Sequence, residues 1–229
     1  MASGSGTTFG YLARHVRTNV LPFDGCVLVH TRARCGAVDR ARELQVETRH
    51  WSRAQSLTEV ISPGEFPLVV LAGCLRVLQP AEVAPYGLML NTHPGPLPEF
   101  GGKGFYGIHV HAAVLRYLEL TGQHYTCATV HQVSSEIDAG RVMGEHWLRL
   151  ADNGCFDPDE VAETLLPFEH LLIGTTLLRL TAGEKPDEIS PASPRQLDFS
   201  NAHVLQEARE YGLAYQGNWS AVTEGVKIV

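Results

Sequence analysis

Asn91 and His93 open the chemical reading of the chain. They stand in Leu90-Asn91-Thr92-His93-Pro94-Gly95-Pro96-Leu97-Pro98. In an extended backbone, residues two apart share a face, so the carboxamide and the imidazole point together. Histidine gains or loses a proton near neutral pH. An asparagine amide offers an N–H to a carbonyl oxygen without changing charge. Prolines 94, 96 and 98 stiffen the exit from this segment; a structural histidine capping the loop is the alternative. Farther along, Asp138 lies in the glycine-ended loop Ser134–Gly140. Its carboxylate could reach a histidine on a neighbouring strand end, raise its pKa and orient its ring. Glu136 in the same loop reads as a solvated acid.

A different chemistry is suggested by Ser3-Gly4-Ser5-Gly6-Thr7-Thr8. Glycines let backbone amides approach an anion, and a helix start adds free N–H groups and a favourable dipole. The loop lacks the G-K-[ST] of a P-loop and the full G-x-G-x-x-G, and a flexible glycine-rich terminus is the alternative. Metal and nucleophile signatures are missing. There is no H-E-x-x-H, C-x-x-C or G-x-S-x-G in the chain, and a helix would splay His109 and His111 about 200° apart. No metal is expected.

The elements that must position these groups follow from periodicity. Apolar runs at Cys26–His30, Pro67–Gly73, Leu88–Asn91, Tyr125–Val133 and Arg141–Leu150 read as strands, with a weaker one at Val46–His50. Helical patterns cover Thr8–Arg17, Val38–Leu44, a helix ending at Leu57–Ile61, Pro80–Tyr86, Ile108–Leu120 and Ala202–Tyr211. A long helix starts at Asp157-Pro158-Asp159-Glu160, an N-cap acid followed by proline at the first helical position, and Pro167 is expected to kink it. Alternating strands and helices imply an α/β fold with a doubly wound, mostly parallel central sheet. In such a sheet ligands bind in the loops at the carboxyl ends of strands.

Composition narrows the class. The 229 residues are 44% hydrophobic and 19% charged with a net charge of −7, which suits one large globular domain or two small ones. The acidic balance argues against a nucleic-acid partner, which needs a basic face. No run approaches the roughly 18 unbroken apolar residues of a membrane span, and Met1–Gly6 has no signal-peptide features. Five cysteines, an odd number without paired spacing, suit free thiols in a reducing cytoplasm.

Five segments together resemble the folate-dependent formyltransferases: SGSGTTF at 3–9, VLAGCLRVL at 70–78, LNTHPGPLP at 90–98, FGGKGFYG at 100–107 and TVHQVSSEIDAG at 129–140. The likeness runs over residues 3 to 183 and is strongest to the branch that formylates phosphoribosylglycinamide (GAR) in purine biosynthesis. The resemblance implies a Rossmann-like formyltransferase fold and a co-substrate, 10-formyltetrahydrofolate. It implies catalytic Asn91, His93 and Asp138, with His93 held protonated by Asp138. Gly6, Thr7 and Thr8 would bind the substrate phosphate and Glu169 its ribose. Leu75, Arg76, Val77 and Leu78, with Ile137, Ala139 and Gly140, would hold the folate. It further implies a catalytic domain at 1–183, divided at 87/88 into a phosphate-binding half and a folate-binding, catalytic half, and a tail at 184–229. Small-molecule substrates, no nucleic acid, no membrane and a monomer or homodimer are the expected partners. A sugar-amine formyltransferase, a formyltetrahydrofolate hydrolase and a non-catalytic folate- or nucleotide-binding homologue stay open.

Three departures accompany the likeness. Gly95-Pro96 stand where the family usually has Ser-Leu, and Arg141 where many relatives have proline. The family's first strand should precede Ser3, where only Met1-Ala2 stand. Loss of a central strand would leave two neighbours unpaired, and Gly225–Val229 is a candidate to dock in its place.

Overall fold

The computed structural model describes residues 1–151 and 156–216; the 225–229 segment and Cys155 lie outside them. The chain starts with α1 (Thr7–Arg17), whose N-cap is Gly6 at φ 71°. A β-carbon on Gly6 would lie 2.4 Å from the Ala37 Cα, so helix α2 (Gly36–Glu43) approaches to a distance only glycine permits. Arg14, His15 and Arg17 in the last turn of α1 complement the helix dipole.

Strand β1 (Val27–His30) pairs in parallel with β2 (Glu47–His50). Strand β3 (Val69–Leu71) pairs in parallel with β4 (Met89–His93), the short α3 (Pro80–Val83) lying between them in sequence. Beyond β4 the direction reverses. β5 (Tyr125–Gln132) and β6 (Val142–Arg149) add antiparallel, giving the order β3-β4-β5-β6. The α/β architecture read from the sequence is therefore present, with its parallel ladders in the N-terminal half.

The two groups of strands are joined by the chain's first residues. Ala2 forms a parallel bridge with His30. Its N–H donates to Val29 O at 3.0 Å, the Ser3 N–H donates to Gly73 O at 3.1 Å, and the Ala72 N–H donates to Met1 O at 2.8 Å. The terminal amine donates to Val70 O, and burial lowers its pKa. The central slot expected to stand without its strand is thus occupied by Met1–Ser3, and Val29, Val70 and Ala72 find backbone partners there.

Helices α4 (Ile108–Thr121), α5 (Pro158–Thr181) and α6 (Ala202–Ala214) complete the fold. The Asp157 side chain caps α5 by accepting from the Asp159 N–H at 2.8 Å, as the sequence signature requires. Among the described residues α5 alone is long and apolar enough to cross a membrane. Here it packs against β4, β5 and β6, and its Ile173 and Leu177 join Leu90, Val130 and Met143 in one core. On the other side Phe100, Val110, Val114 and Tyr117 form a second core with Leu197 and Ala208 of the C-terminal segment. Two local readings differ. The segment before Pro63-Gly64 is a single 3-10 turn, Leu57–Glu59, closed by a Ser56/Glu59 capping box. β4 continues beyond Asn91 to His93, because β5 supplies ladder partners along its length.

Gly6→Ala should destabilise the protein by about 2–4 kcal/mol, combining left-handed strain with overpacking. Gly4→Ala, whose added carbon would meet nothing within 4 Å, should change stability far less. Urea denaturation of both variants measures the difference; equal effects would show that α2 yields at this contact.

Candidate active site

The register of β4 against β5 builds the site. Asn91 stands opposite His131 and His93 opposite Thr129. Asn91 Nδ2 lies 3.0 Å from His131 Nε2, and His131 Nδ1 lies 3.0 Å from Gln132 O. A carbonyl only accepts, so the proton of neutral His131 sits on Nδ1. Its Nε2 then accepts one N–H of Asn91, and the second amide N–H of Asn91 is left for a ligand.

His93 is fixed by the same logic. Its Nε2 lies 2.9 Å from Phe100 O, so Nε2–H is the donor. The unprotonated Nδ1 faces Asp138 Oδ2 at 3.9 Å, too long for a direct hydrogen bond. Asp138 Oδ1 lies 3.6 Å from His131 Nε2, and its Oδ2 accepts the Gly102 N–H at 3.0 Å. Asp138 adopts a left-handed backbone, φ 55°, which aspartate tolerates better than most residues. One carboxylate thus stands between two buried imidazoles.

The charge state differs from the sequence expectation. Asp138 does pull the His93 pKa upward, but burial outweighs it and leaves the value lowered to about 4. The ring is 3% exposed, and taking an imidazolium out of water opposes protonation more strongly than a carboxylate at 3.9 Å favours it. Burial lowers His131 as well. His93 is accordingly neutral at physiological pH, with Nδ1 able to accept a proton.

The departure at Gly95 has a packing cause. A β-carbon there would fall 2.5 Å from Val110 Cγ1, so α4 packs directly on the loop that follows His93. Thr129 Oγ1 donates to Gly95 O at 2.8 Å and ties that loop to β5.

The other residues singled out from the sequence lie on the loops at strand ends. Gly6, Thr7 and Thr8 form the start of α1, which has no side-chain cap and no acid in its first turn. Ser3 Oγ accepts the Leu75 N–H at 3.0 Å, tying the glycine loop to the loop after β3. On that loop Leu75 and Val77 are 46% and 52% exposed, and Ile137 on the Asp138 loop is 41% exposed. Solvent-facing apolar groups of this kind suit a flat heteroaromatic ligand. Leu78 is instead half-buried, packed against the core cluster that contains Trp51 and Leu71. The Arg76 guanidinium is committed elsewhere. It stacks 3.4 Å over the Trp51 ring, donates to Ser52 O at 2.9 Å and pairs with Glu82 at 3.1 Å. Ala139 and Gly140 close the Asp138 loop, with Gly140 directly over Gln132 O. Glu169, half-buried on α5, has its pKa raised to about 7 by burial. Beside it His170 stacks on Tyr11 of α1. His131 is the one member of the polar cluster that spacing alone missed, because its role depends on the antiparallel register. Among the described residues no three His, Cys, Asp or Glu side chains converge as a metal site.

These features define a doubly wound α/β protein with an Asn-His-His-Asp cluster, its two imidazoles buried, at the end of a central strand. The formyl transferase family pattern matches residues 2–166, and the chain belongs to that family. It is 32% identical over 181 residues to the chloroplastic phosphoribosylglycinamide formyltransferase of Arabidopsis thaliana, covering 74% of this chain and 60% of that protein. It is 29% identical over 153 residues to the phosphoribosylglycinamide formyltransferase of Escherichia coli K12, covering 62% of this chain and 68% of that one. In fold it is similar to glycinamide ribonucleotide transformylase 1 from Symbiobacterium toebii, with TM-score 0.68, 23% identity, and coverage of 80% of this chain and 85% of that one. The chain spans about 60% of the length of the plant relative.

The buried histidines give stability a pH dependence. His93 and His170 titrate at about 4 and His111 at about 3, each lowered by burial. Below pH 6.5 the unfolded chain binds protons that these rings refuse, so stability falls as pH drops from about 6.5 toward 4. Glu169, raised to about 7, acts with opposite sign, and the three histidines outweigh it. Thermal melts across this range should show Tm decreasing, with His111→Gln flattening the slope.

Proposed function

We propose that the protein transfers a formyl group from 10-formyltetrahydrofolate to the amine of phosphoribosylglycinamide, a step of purine biosynthesis. The convergence of Asn91, His93 and Asp138 carries this reading, with the family membership and the names of the relatives behind it. The free N–H of Asn91 would meet the formyl oxygen as negative charge builds on it. A donor of this kind typically contributes about a hundred- to a thousandfold in rate. Unprotonated His93 Nδ1 would take the proton that the attacking amine loses and pass it to the departing folate nitrogen. It would do so directly or through a water held by Asp138.

The binding roles extend the same reading. Gly6, Thr7 and Thr8 hold the substrate phosphate with main-chain N–H groups and hydroxyls, which an acidic protein can do because those donors are local. Glu169 has no hydrogen-bond partner among the described residues, and its raised pKa keeps it partly protonated at neutral pH. A carboxyl of that kind can both donate to and accept from a ribose diol. Leu75, Val77 and Ile137 cover the folate ring system with apolar surface, while Arg76, Leu78, Ala139 and Gly140 contribute main chain. Residues 1–87 act as the phosphate-binding half, 88–183 as the folate and catalytic half, and 184–229 as an added tail. The partners are small molecules, the location cytoplasmic, and the form a monomer or homodimer; the net charge of −7 supports the absence of a nucleic-acid partner.

Incubation of the purified protein with 10-formyltetrahydrofolate, with and without GAR, tests the reading by following deformylated folate. Turnover only with GAR is expected. Turnover without an acceptor would make the protein a hydrolase, turnover with a sugar amine alone a different formyltransferase, and none at all a binding homologue. Asp138→Asn should fold normally and lose most of kcat, and Asn91→Ala should cost about a hundred- to a thousandfold.

A further inference from the structure

The C-terminal segment reaches into the loop that holds the catalytic groups. Arg209 on α6 donates through Nη1 to Glu99 O and through Nη2 to Gly101 O at 3.1 Å. These two carbonyls flank Phe100, whose own carbonyl accepts His93 Nε2–H at 2.9 Å. The next residue, Gly102, donates its N–H to Asp138 at 3.0 Å. The fork of one guanidinium therefore holds the peptide unit just before the one that orients His93 and, at Gly101 O, the same peptide unit whose N–H anchors Asp138. Its Cζ also lies 4.2 Å from the Phe105 ring centroid, over the ring face.

A general docking role does not explain this placement. Helix α6 is already tied to α4 by Arg116–Glu207 at 2.7 Å and by His109 Nδ1–H donating to Gly212 O at 3.0 Å. Glu99 already has its cation, because Arg195 pairs with it at 2.6 Å and donates to Leu97 O at 3.1 Å. Among the described residues Arg209 has no carboxylate partner, and its hydrogen bonds go to the two loop carbonyls. A planar donor fork suits two carbonyls in fixed relation, where a lysine ammonium would act as a point charge.

We propose that Arg209 is a positioning residue for formyl transfer, holding the 99–102 backbone so that His93 stays locked as its Nε2–H tautomer and Asp138 stays aimed at His93 Nδ1. The kinetic part of this inference rests on the proposed formyl transfer; the tautomer part does not.

Three variants test it: Arg209→Gln, Arg209→Lys, and Arg116→Ala, which loosens α6 without touching the loop. Steady-state kinetics should show Arg209→Gln losing about ten- to a hundredfold in kcat, the scale of a small misplacement at a reacting centre. KM for both substrates should stay within about twofold, since uniform binding is untouched. Nitrogen-15 NMR of the histidine rings should show His93 losing the pure Nε2–H form. Arg209→Lys should restore part of both, and Arg116→Ala should lower Tm while leaving kcat and the His93 ring unchanged. Unchanged kcat and an unchanged His93 tautomer in Arg209→Gln would overturn the proposal, as would an equal kcat loss in Arg116→Ala. If Arg209→Gln fails to fold, Arg209→Lys decides on the same two readouts. If the wild-type protein does not turn over GAR, the formyl-transfer reading fails and the NMR result still decides the role of Arg209.

Discussion

The site depends on one hydrogen bond, from His93 Nε2–H to the carbonyl of Phe100. A buried imidazole can present either nitrogen, and the two choices give different chemistry. The Phe100 carbonyl removes that choice, so Nδ1 is the nitrogen turned to Asp138. Because the ring is out of water, it is also neutral, and its environment makes it an acceptor of protons. The loop after β4, the close approach of α4 at Gly95 and the anchoring of Asp138 by Gly102 all preserve this arrangement.

The sheet divides the work between its halves. Met1–Ser3, running between β1 and β3, makes neighbours of the glycine loop at the start of α1 and the loop after β3. The antiparallel pairing of β4 with β5 sets a second relation through its register. It brings His131 directly opposite Asn91, where its unprotonated nitrogen holds one amide proton and so aims the other. The mixed topology is thus part of the chemistry as well as of the scaffold.

Much of this was legible in the sequence where the signal is local. The Asn91/His93 spacing, the capped start at Asp157-Pro158 and the apolar runs of β3 and β5 each report backbone geometry within a few residues, and each appears close to its expected place. What the sequence did not carry was relational. The role of His131 depends on register. The charge of His93 depends on the balance between burial and Asp138, and that balance has the opposite sign to the one the pair alone suggests. The Arg76 guanidinium is turned to Trp51 by a contact that no spacing announces. The slot beside β1 is filled by Met1–Ser3 through backbone bonds to which side-chain patterns are blind. The hold of the C-terminal segment on the 97–101 loop spans nearly half the chain and leaves no local trace.

The left-handed backbone at Asp138 narrows what can replace it. Few residue types accept that conformation readily, chiefly glycine, asparagine and aspartate itself. Asparagine and glycine are each a single base change from an aspartate codon. The substitutions the fold tolerates best at this position are therefore ones that remove the carboxylate. A single base change here would remove the carboxylate on which the proposed chemistry depends while leaving the backbone conformation it occupies undisturbed.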